Sequence, residues 1–187
     1  MNNKMKECIV ICHGKSEVSI MTFIKQAYRL PIKIKSKNGG ENSIQITSLL
    51  RYLNRREYKS QKNFLEKFKL DKITNNTKIY TIMDTDDCNK EQFQNYINGS
   101  MFKNHPLKKC IIPIFNDINL EDVVKRANLE VYKEKSEAFR IFPFSNNNLN
   151  YTKNSSIEYV YERLKNDNRT NLDQLILYCM ENKTQFK

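Results

Sequence analysis

Two closely spaced carboxylates at the end of an apolar run are the residues best suited to chemistry in this sequence. Residues 79–83 form a β-rich apolar run, and Asp84, Thr85, Asp86 and Asp87 follow it directly. Such a run predicts a buried strand, and ligands of open α/β sheets bind beyond the carboxyl ends of strands. Side chains at positions i and i+2 of an extended chain point the same way, so Asp84 and Asp86 are predicted to share one metal ion.

The ion expected there is Mg²⁺, or Mn²⁺ in its place. Mg²⁺ prefers hard oxygen ligands and usually keeps several of its waters, so a pair of carboxylates suits it. A second interpretation stays open, because Asp is common at helix N-caps. Asp86 or Asp87 would then only cap the helix predicted to start near Asn89.

The elements that position these carboxylates alternate along the chain. Apolar runs predict strands at residues 7–12 and 110–115, and alternating apolar and basic residues predict an edge strand at residues 32–35. Apolar residues at helical spacing predict the helices between them, the first with Ser16 as N-cap. This order predicts an α/β fold with a four-stranded, mostly parallel, doubly wound sheet.

The pattern changes after the fourth strand. Residues 145–150 are polar and predict a linker, and two amphipathic helices are expected beyond it. We predict an α/β domain over residues 1–144 and a helical extension over residues 145–187, which packs on that domain or mediates a homodimer. The apolar positions of the two helices are Ile157, Val160, Tyr161 and Leu164, then Leu172, Leu175, Ile176 and Cys179.

Positive charge is concentrated in one third of the chain. The net charge is +11, and residues 25–72 hold thirteen Lys and Arg against four acids, a local excess of +9. Such a surface is expected to bind a polyanion, since Lys and Arg that neutralise phosphates release condensed counterions. A solvated helical face is the alternative. The predicted nucleic-acid contacts in this region are Lys33, Lys35, Lys37, Arg51, Arg55 and Arg56.

Cysteine usage and hydropathy predict a reduced, soluble, cytoplasmic protein that does not contact a membrane. The five cysteines are odd in number, form no Cys-x-x-Cys pair and are accompanied by no signal peptide or long apolar span. Zinc binding by Cys12, His13 and Cys88 is disfavoured, because paired ligand spacing is missing.

The order of two motifs resembles the TOPRIM domain. Residues 9–17 read Ile-Val-Ile-Cys-His-Gly-Lys-Ser-Glu, and residues 82–86 read Ile-Met-Asp-Thr-Asp. TOPRIM domains occur in topoisomerases, bacterial primases, ribosomal-RNA maturation nucleases and several phage-defence nucleases. They carry an acidic residue at the turn after the first strand and an Asp-x-Asp pair at the end of the third. The resemblance covers about residues 5–125.

This resemblance implies a metal-dependent endonuclease that cuts RNA or DNA, with Asp84 and Asp86 in its metal site. Lys15 would contact a phosphate beside the helix N-terminus. Glu121 or Asp122, after the fourth strand, would supply a further carboxylate, although helix capping explains these two acids nearly as well. Similarity to defence-associated members implies a role against phage, and small members often act with a separate ATPase.

One position departs from the family pattern, which has Glu immediately before the glycine. Here His13 precedes Gly14. Three interpretations are open: Glu17 takes the role from the first helical turn, His13 acts as base or metal ligand, or catalysis is lost. We favour Glu17 assisted by His13, because imidazole accepts protons near pH 7 but is a softer ligand than Mg²⁺ prefers. A turn histidine and a first-turn helix acid remain the structural alternatives.

Three functions follow from these observations. The first is the metal-dependent endonuclease, with Glu17, His13, Asp84 and Asp86 as catalytic residues and Glu17, Asp84, Asp86 and Glu121 as metal ligands. The second is a nucleic-acid-binding or regulatory module without catalysis. The third is a phospho-acceptor domain using Asp84, which is disfavoured because the first strand does not end in an acid pair.

Overall fold

A four-stranded parallel sheet forms the centre of the protein. The computed structural model describes residues 8–55, 57–129 and 155–183, together with the backbone of 132–133, 139–140 and 153–154. The strand order is β2-β1-β3-β4, and all three pairings are parallel. The strands are β1 (Cys8–Cys12), β2 (Lys33–Lys35), β3 (Lys78–Asp84) and β4 (Ile111–Asn116).

Helices connect the strands and continue to the C-terminal part of the chain. They are α1 (Lys15–Tyr28), α2 (Ile46–Leu53), α3 (Gln61–Phe68), α4 (Lys90–Ile97), α5 (Leu120–Arg126), α6 (Lys153–Leu164) and α7 (Leu172–Glu181). Short 3-10 turns occupy Asn38–Gly40 and Ser100–Phe102, and β5 (Tyr132–Lys133) pairs antiparallel with β6 (Phe139–Arg140). The prediction of an α/β fold with a four-stranded parallel sheet is confirmed, and all its pairings are parallel.

Alternation along the central strands divides the core between two faces. Val10 and Ile82 are buried on the face that carries α1, α5, α6 and α7, whereas Ile9 and Met83 are buried against α2, α3 and α4. This follows from the two-residue period of a strand, which sends neighbouring side chains to opposite faces. The continuous apolar runs of β1 and β3 therefore serve two cores at once.

The direction of the winding reverses between β1 and β3. From β1 the chain crosses through α1 to β2 on one side of the sheet order, and from β3 it crosses through α4 to β4 on the other. Helices α1 and α4 belong to opposite faces. The carboxyl ends of β1 and β3 thus flank the kind of crevice in which open α/β sheets bind ligands.

The two C-terminal helices pack on the sheet face that carries α1. Their buried apolar residues belong to the same core as Val10 and Ile82. Just before α7, the side-chain amide of Asn171 accepts from the Phe115 N–H at 2.7 Å and donates to the Pro113 carbonyl at 3.0 Å. Asn171 thereby satisfies backbone groups of the edge strand β4. The predicted linker and the domain boundary at 144/145 lie outside the described residues.

The prediction that Ser16 caps α1 is wrong. The N-cap is Gly14, and α1 begins at Lys15. Glu17 reaches back from the third helical position and accepts a hydrogen bond from the Gly14 N–H at 2.8 Å. This contact satisfies one of the free donors of the helix start, and the Ser16 hydroxyl is available for another partner.

Two expectations drawn from composition have a structural counterpart. All five cysteines are free thiols, four of them buried and Cys88 half-buried. Within the described ranges, no helix combines the length and the apolar character that crossing a membrane requires.

The glycine-rich turn before α2 packs directly on the turn between β1 and α1. Gly40 has φ +95°, and a Cβ built there would lie 2.9 Å from the backbone N and Cα of Lys15. Gly39 also has a positive φ, +65°, but a Cβ on it would meet nothing within 4 Å. Both positions favour glycine by conformation, whereas only Gly40 is required by close backbone approach.

We therefore expect Gly40→Ala to destabilise the protein much more than Gly39→Ala. The Gly39 variant carries only the left-handed backbone strain, about 1 kcal/mol. The Gly40 variant adds a backbone clash, for a total of about 3 kcal/mol. Urea denaturation of the two variants measures the difference, and equal losses would contradict the packing described here.

Candidate active site

The site lies where β1 and β3 end side by side. The His13 N–H, directly after β1, donates to the Ile82 carbonyl at 2.9 Å, so the chain stays paired with β3 for one residue more. Asp84 is the last residue of β3. As a result, the Nε2 atom of His13 lies 3.8 Å from the Oδ2 atom of Asp84.

Glu17 is buried at the same edge. It lies in the first turn of α1, is only 3% exposed and binds the Gly14 N–H through Oε2. Burial raises the pKa of Glu17, and the charge of Glu121 acts in the same direction, while backbone hydrogen bonds and His13 oppose the shift. Glu17 is thus both the helix-capping acid and a neighbour of the other site residues.

Asp84 is the second buried carboxyl of the site with a raised pKa. Burial and the charge of Glu17, with smaller effects of Glu121 and Asp86, raise the pKa of Asp84 to about 8. The Nδ2 atom of Asn116 donates to Oδ1 of Asp84 at 3.1 Å and opposes this shift. Several negative groups therefore act on one place, which a cation would stabilise.

Asn116 and Thr170 are site residues that sequence reasoning missed. Asn116 ends β4, in register with Asp84, and its Oδ1 accepts from the Thr170 hydroxyl at 3.1 Å. Both side chains are buried. The strand-end position of Asn116 was the one available signal, whereas Thr170 is far away in sequence and carries none.

The remaining predicted ligands lie at the periphery. Asp86 and Glu121 are exposed, and Oε1 of Glu121 accepts from the Ser16 hydroxyl at 3.0 Å. Asn119 caps α5 by accepting from the Asp122 N–H at 2.8 Å, so Glu121 and Asp122 lie in the first turn of that helix. Glu121 nevertheless acts electrostatically on Glu17 and on Asp84.

The interpretation of Asp86 or Asp87 as the cap of α4 is wrong. Asn89 caps that helix by accepting from the Gln92 N–H at 3.0 Å. Asp87 instead accepts from the hydroxyl of Thr47 at 2.9 Å and from its N–H at 3.3 Å, in the first turn of α2. The loop after β3 is therefore hydrogen-bonded to α2, within the basic region of residues 25–72.

Ile118, in the loop after β4, has an unusual backbone conformation. Its φ is +65°, a rare value for a β-branched residue. The conformation is held by Thr85, whose hydroxyl accepts from the Ile118 N–H at 2.8 Å and whose N–H donates to the Ile118 carbonyl at 3.1 Å. The Asp86 N–H donates to the same carbonyl at 3.2 Å, so this strained residue holds the Asp-x-Asp loop in place.

The residues present fit a hydrated Mg²⁺ better than a fully protein-ligated ion. Across the part of the chain that is described, no three His, Cys, Asp or Glu side chains form a ready metal-ligand cluster. Mg²⁺ commonly takes one or two carboxylates and completes its shell with water and substrate phosphate. Asp84 and Glu17 would supply the carboxylates, and the buried Nδ1 of His13 is left without a hydrogen-bond partner among the described atoms.

A zinc site has no such support. Cys12 belongs to the core on the α1 face, whereas Cys88 packs against the core on the opposite face. Burial raises the pKa of both thiols, which disfavours the thiolate that zinc requires. The two cysteines and His13 are thus not arranged as a common ligand set.

The predicted basic surface separates into two groups. Lys33 donates to the Phe68 carbonyl at 2.9 Å, and the ammonium groups of Lys33 and Lys35 lie 5.1 and 5.8 Å from the Phe68 ring centroid. These lysines therefore have internal packing partners. Lys15 is exposed at the start of α1, and Arg56 lies outside the described residues.

The other group converges on one cavity. Lys37, Arg51 and Arg55 line it together with Ser43, Ile44, Ser48 and Tyr52, and its volume is about 100 Å³. The Ile44 N–H donates to the His13 carbonyl at 2.9 Å. Ile44, in the wall of the cavity, is therefore hydrogen-bonded to His13 of the acidic site.

We expect Asp84→Asn to stabilise the metal-free protein at high pH. Below about pH 4 the carboxyl is protonated in both the folded and the unfolded state, so the variant changes little. Between about pH 4 and pH 8 only the unfolded state loses this proton, and the wild type becomes progressively less stable than the variant. Above about pH 8 the difference reaches a plateau on the order of 5 kcal/mol, because each pH unit between the two pKa values contributes about 1.4 kcal/mol.

Urea unfolding at several pH values, in the presence of a chelator, measures this difference. Asp86→Asn removes the same formal charge from an exposed side chain and is the matched control. A constant difference between Asp84→Asn and wild type across this pH range would contradict the electrostatic description.

Comparison with known proteins adds no family to this description. No protein-family model matches the chain, and neither a curated protein nor a solved structure matches it.

Proposed function

We propose that this protein is a divalent-metal-dependent nuclease of the TOPRIM type that hydrolyses phosphodiester bonds in RNA or DNA. The observation that carries the proposal is the meeting of Glu17, His13 and Asp84 at the carboxyl ends of β1 and β3. This is the crevice in which the fold class binds ligands. The resemblance of residues 9–17 and 82–86 to the two TOPRIM motifs adds to this geometry.

Asp84 and Glu17 would hold the metal, with Asp86 and Glu121 acting on its water shell from the exposed side. Asn116 keeps Oδ1 of Asp84 occupied, so Oδ2, on the side of His13, is the atom directed to the site. A bound divalent ion would supply Lewis acidity toward a phosphodiester and neutralise charge on the leaving oxygen. Burial together with the charge of Glu17 raises the pKa of Asp84, and a bound cation would offset both effects.

His13 would accept a proton from the attacking water. Its Nε2 atom faces Asp84, while Nδ1 is enclosed. A carboxylate beside an imidazole stabilises the protonated form that results from general-base catalysis. This assignment gives a function to the histidine that stands where the family has Glu.

The basic cavity supports a nucleic-acid substrate. Lys37, Arg51 and Arg55 face a common space, and Ile44 links the wall of that space to His13. Cations beside the acidic centre would neutralise phosphates near the bond to be cut. Action with a separate ATPase, a role against phage and a homodimer remain predictions based on the resemblance and the amphipathic helices.

A nucleic-acid-binding module without catalysis is the second candidate. It is favoured by the structural use of Glu17, whose Oε2 is engaged by the Gly14 N–H. In that case the basic cavity would bind nucleic acid, and the acidic residues would only shape the turn.

Cleavage of transfer RNA, ribosomal RNA, single-stranded DNA and supercoiled plasmid, with Mg²⁺ or Mn²⁺, tests the proposal. We expect metal-dependent cutting that Asp84→Asn and Glu17→Gln each reduce by at least about 100-fold, because each variant removes a negative charge and one of two carboxylate oxygens while nearly keeping the size of the side chain. Asp71→Asn, an exposed acid on the surface, is the control and should cut normally.

Salt-sensitive binding of the same nucleic acids should survive in Asp84→Asn. Binding without cutting in the wild type would favour the second candidate, and His13→Glu would then test whether the departure from the family pattern is responsible. Cutting that persists in a chelator, or in Asp84→Asn, would contradict the proposed nuclease site.

A further inference from the structure

The cavity beside the acidic site has the lining of an anion-binding pocket. Three of its residues, Lys37, Arg51 and Arg55, are cations with exposed side chains, and no carboxylate is among the described residues that line it. The polar residues Ser43, Ser48 and Tyr52 complete the lining. The three cations are donors suited to phosphate oxygens.

Part of this lining is held in place before any ligand binds. Tyr52 is only 6% exposed, and the guanidinium carbon of Arg55 lies 4.6 Å from the centroid of its ring. Stacking on an anchored ring reduces the conformational freedom that Arg55 would lose on binding. Ser48 bonds to the Gln45 carbonyl at 3.2 Å at the start of α2, which anchors a second part of the wall.

The size and the charge of the cavity favour a terminal phosphate. A volume of about 100 Å³ is enough for one phosphate group. An internal diester must continue the chain in two directions, whereas a terminal monoester needs one exit. A terminal phosphate also carries a charge of about −1.5 to −2 at neutral pH, which matches three cations better than the single charge of a diester.

We propose that this cavity binds a terminal phosphate of a nucleic-acid strand. The pocket would then anchor a phosphorylated end while the strand runs toward Asp84. The link between Ile44 and His13, and the bonds from Asp87 to Thr47, fix the two places relative to each other. The position of the cut relative to the end, though not the binding itself, rests on the nuclease function proposed above.

The test compares the affinities of single-stranded RNA and DNA oligonucleotides that carry a 5′-phosphate, a 3′-phosphate or only hydroxyl ends. Binding is measured by fluorescence anisotropy at fixed salt and with a chelator, so that no cutting is needed for the readout. We expect one of the two phosphorylated forms to bind about tenfold more tightly than the hydroxyl form. This is the gain expected from about one additional hydrogen bond to a charged group.

Arg51→Gln and Lys37→Gln should reduce this preference to within about twofold, while Arg51→Lys, which keeps the charge, should retain part of it. Lys62→Gln is the matched control, because Lys62 is exposed on α3 and outside the cavity lining. Thermal melting of each variant shows whether it is folded, and the control should keep the full preference.

Two results would overturn the pocket assignment. One is equal affinity for all three oligonucleotides. The other is the same loss of preference in Arg51→Gln and Lys62→Gln. If the protein cuts nucleic acid but shows no end preference, the nuclease proposal stands and the terminal-phosphate pocket is refuted. If it shows an end preference but does not cut, the pocket stands and the nuclease proposal is refuted.

Discussion

The candidate site depends on holding two carboxyl groups, Glu17 and Asp84, at one edge of the sheet and out of water. Parallel pairing of β1 with β3 imposes this placement, because their carboxyl ends lie at one edge of the sheet. Burial raises the pKa of both carboxyls, and the charge of Glu17 adds to the rise of the Asp84 pKa to about 8. A fold that keeps such a pair is destabilised by it unless donors or a cation offset the repulsion.

Partial offsets come from three different parts of the chain. The Gly14 N–H donates to Glu17, Asn116 donates to Asp84, and Thr170 in turn orients Asn116. Each of these contacts favours a fixed position of a carboxyl oxygen. The C-terminal segment is therefore part of the support of the site as well as a cover for the sheet.

The same framework sets the basic cavity against the acidic edge. Gly40 allows the turn before α2 to approach the backbone of Lys15, and Ile44 pairs with His13. Asp87 connects the loop after β3 to α2. The chain therefore brings the basic cavity and the acidic edge of the sheet together, an arrangement that the proposed phosphodiester cleavage would use.

Local patterns predicted the elements, whereas contacts distant in sequence decided the details of the site. Continuous apolar runs were enough to predict β1 and β3, and helical spacing of apolar residues was enough to predict α2. Ser16 failed as a cap because Glu17 competes for the same helix start. The burial of Lys33 and Lys35 on Phe68, and the support of Asp84 by Asn116 and Thr170, depend on packing that no local window contains.

Binding of Mn²⁺ to the isolated protein, followed by the electron paramagnetic resonance signal of the free ion, tests whether the ends of β1 and β3 hold a divalent cation. We expect about one tightly bound ion per chain, with affinity weakened at least about tenfold by Asp84→Asn and by Glu17→Gln but unchanged by Asp71→Asn. Absence of binding to the folded wild type, or equal affinity in Asp84→Asn, would contradict a cation site at the ends of β1 and β3.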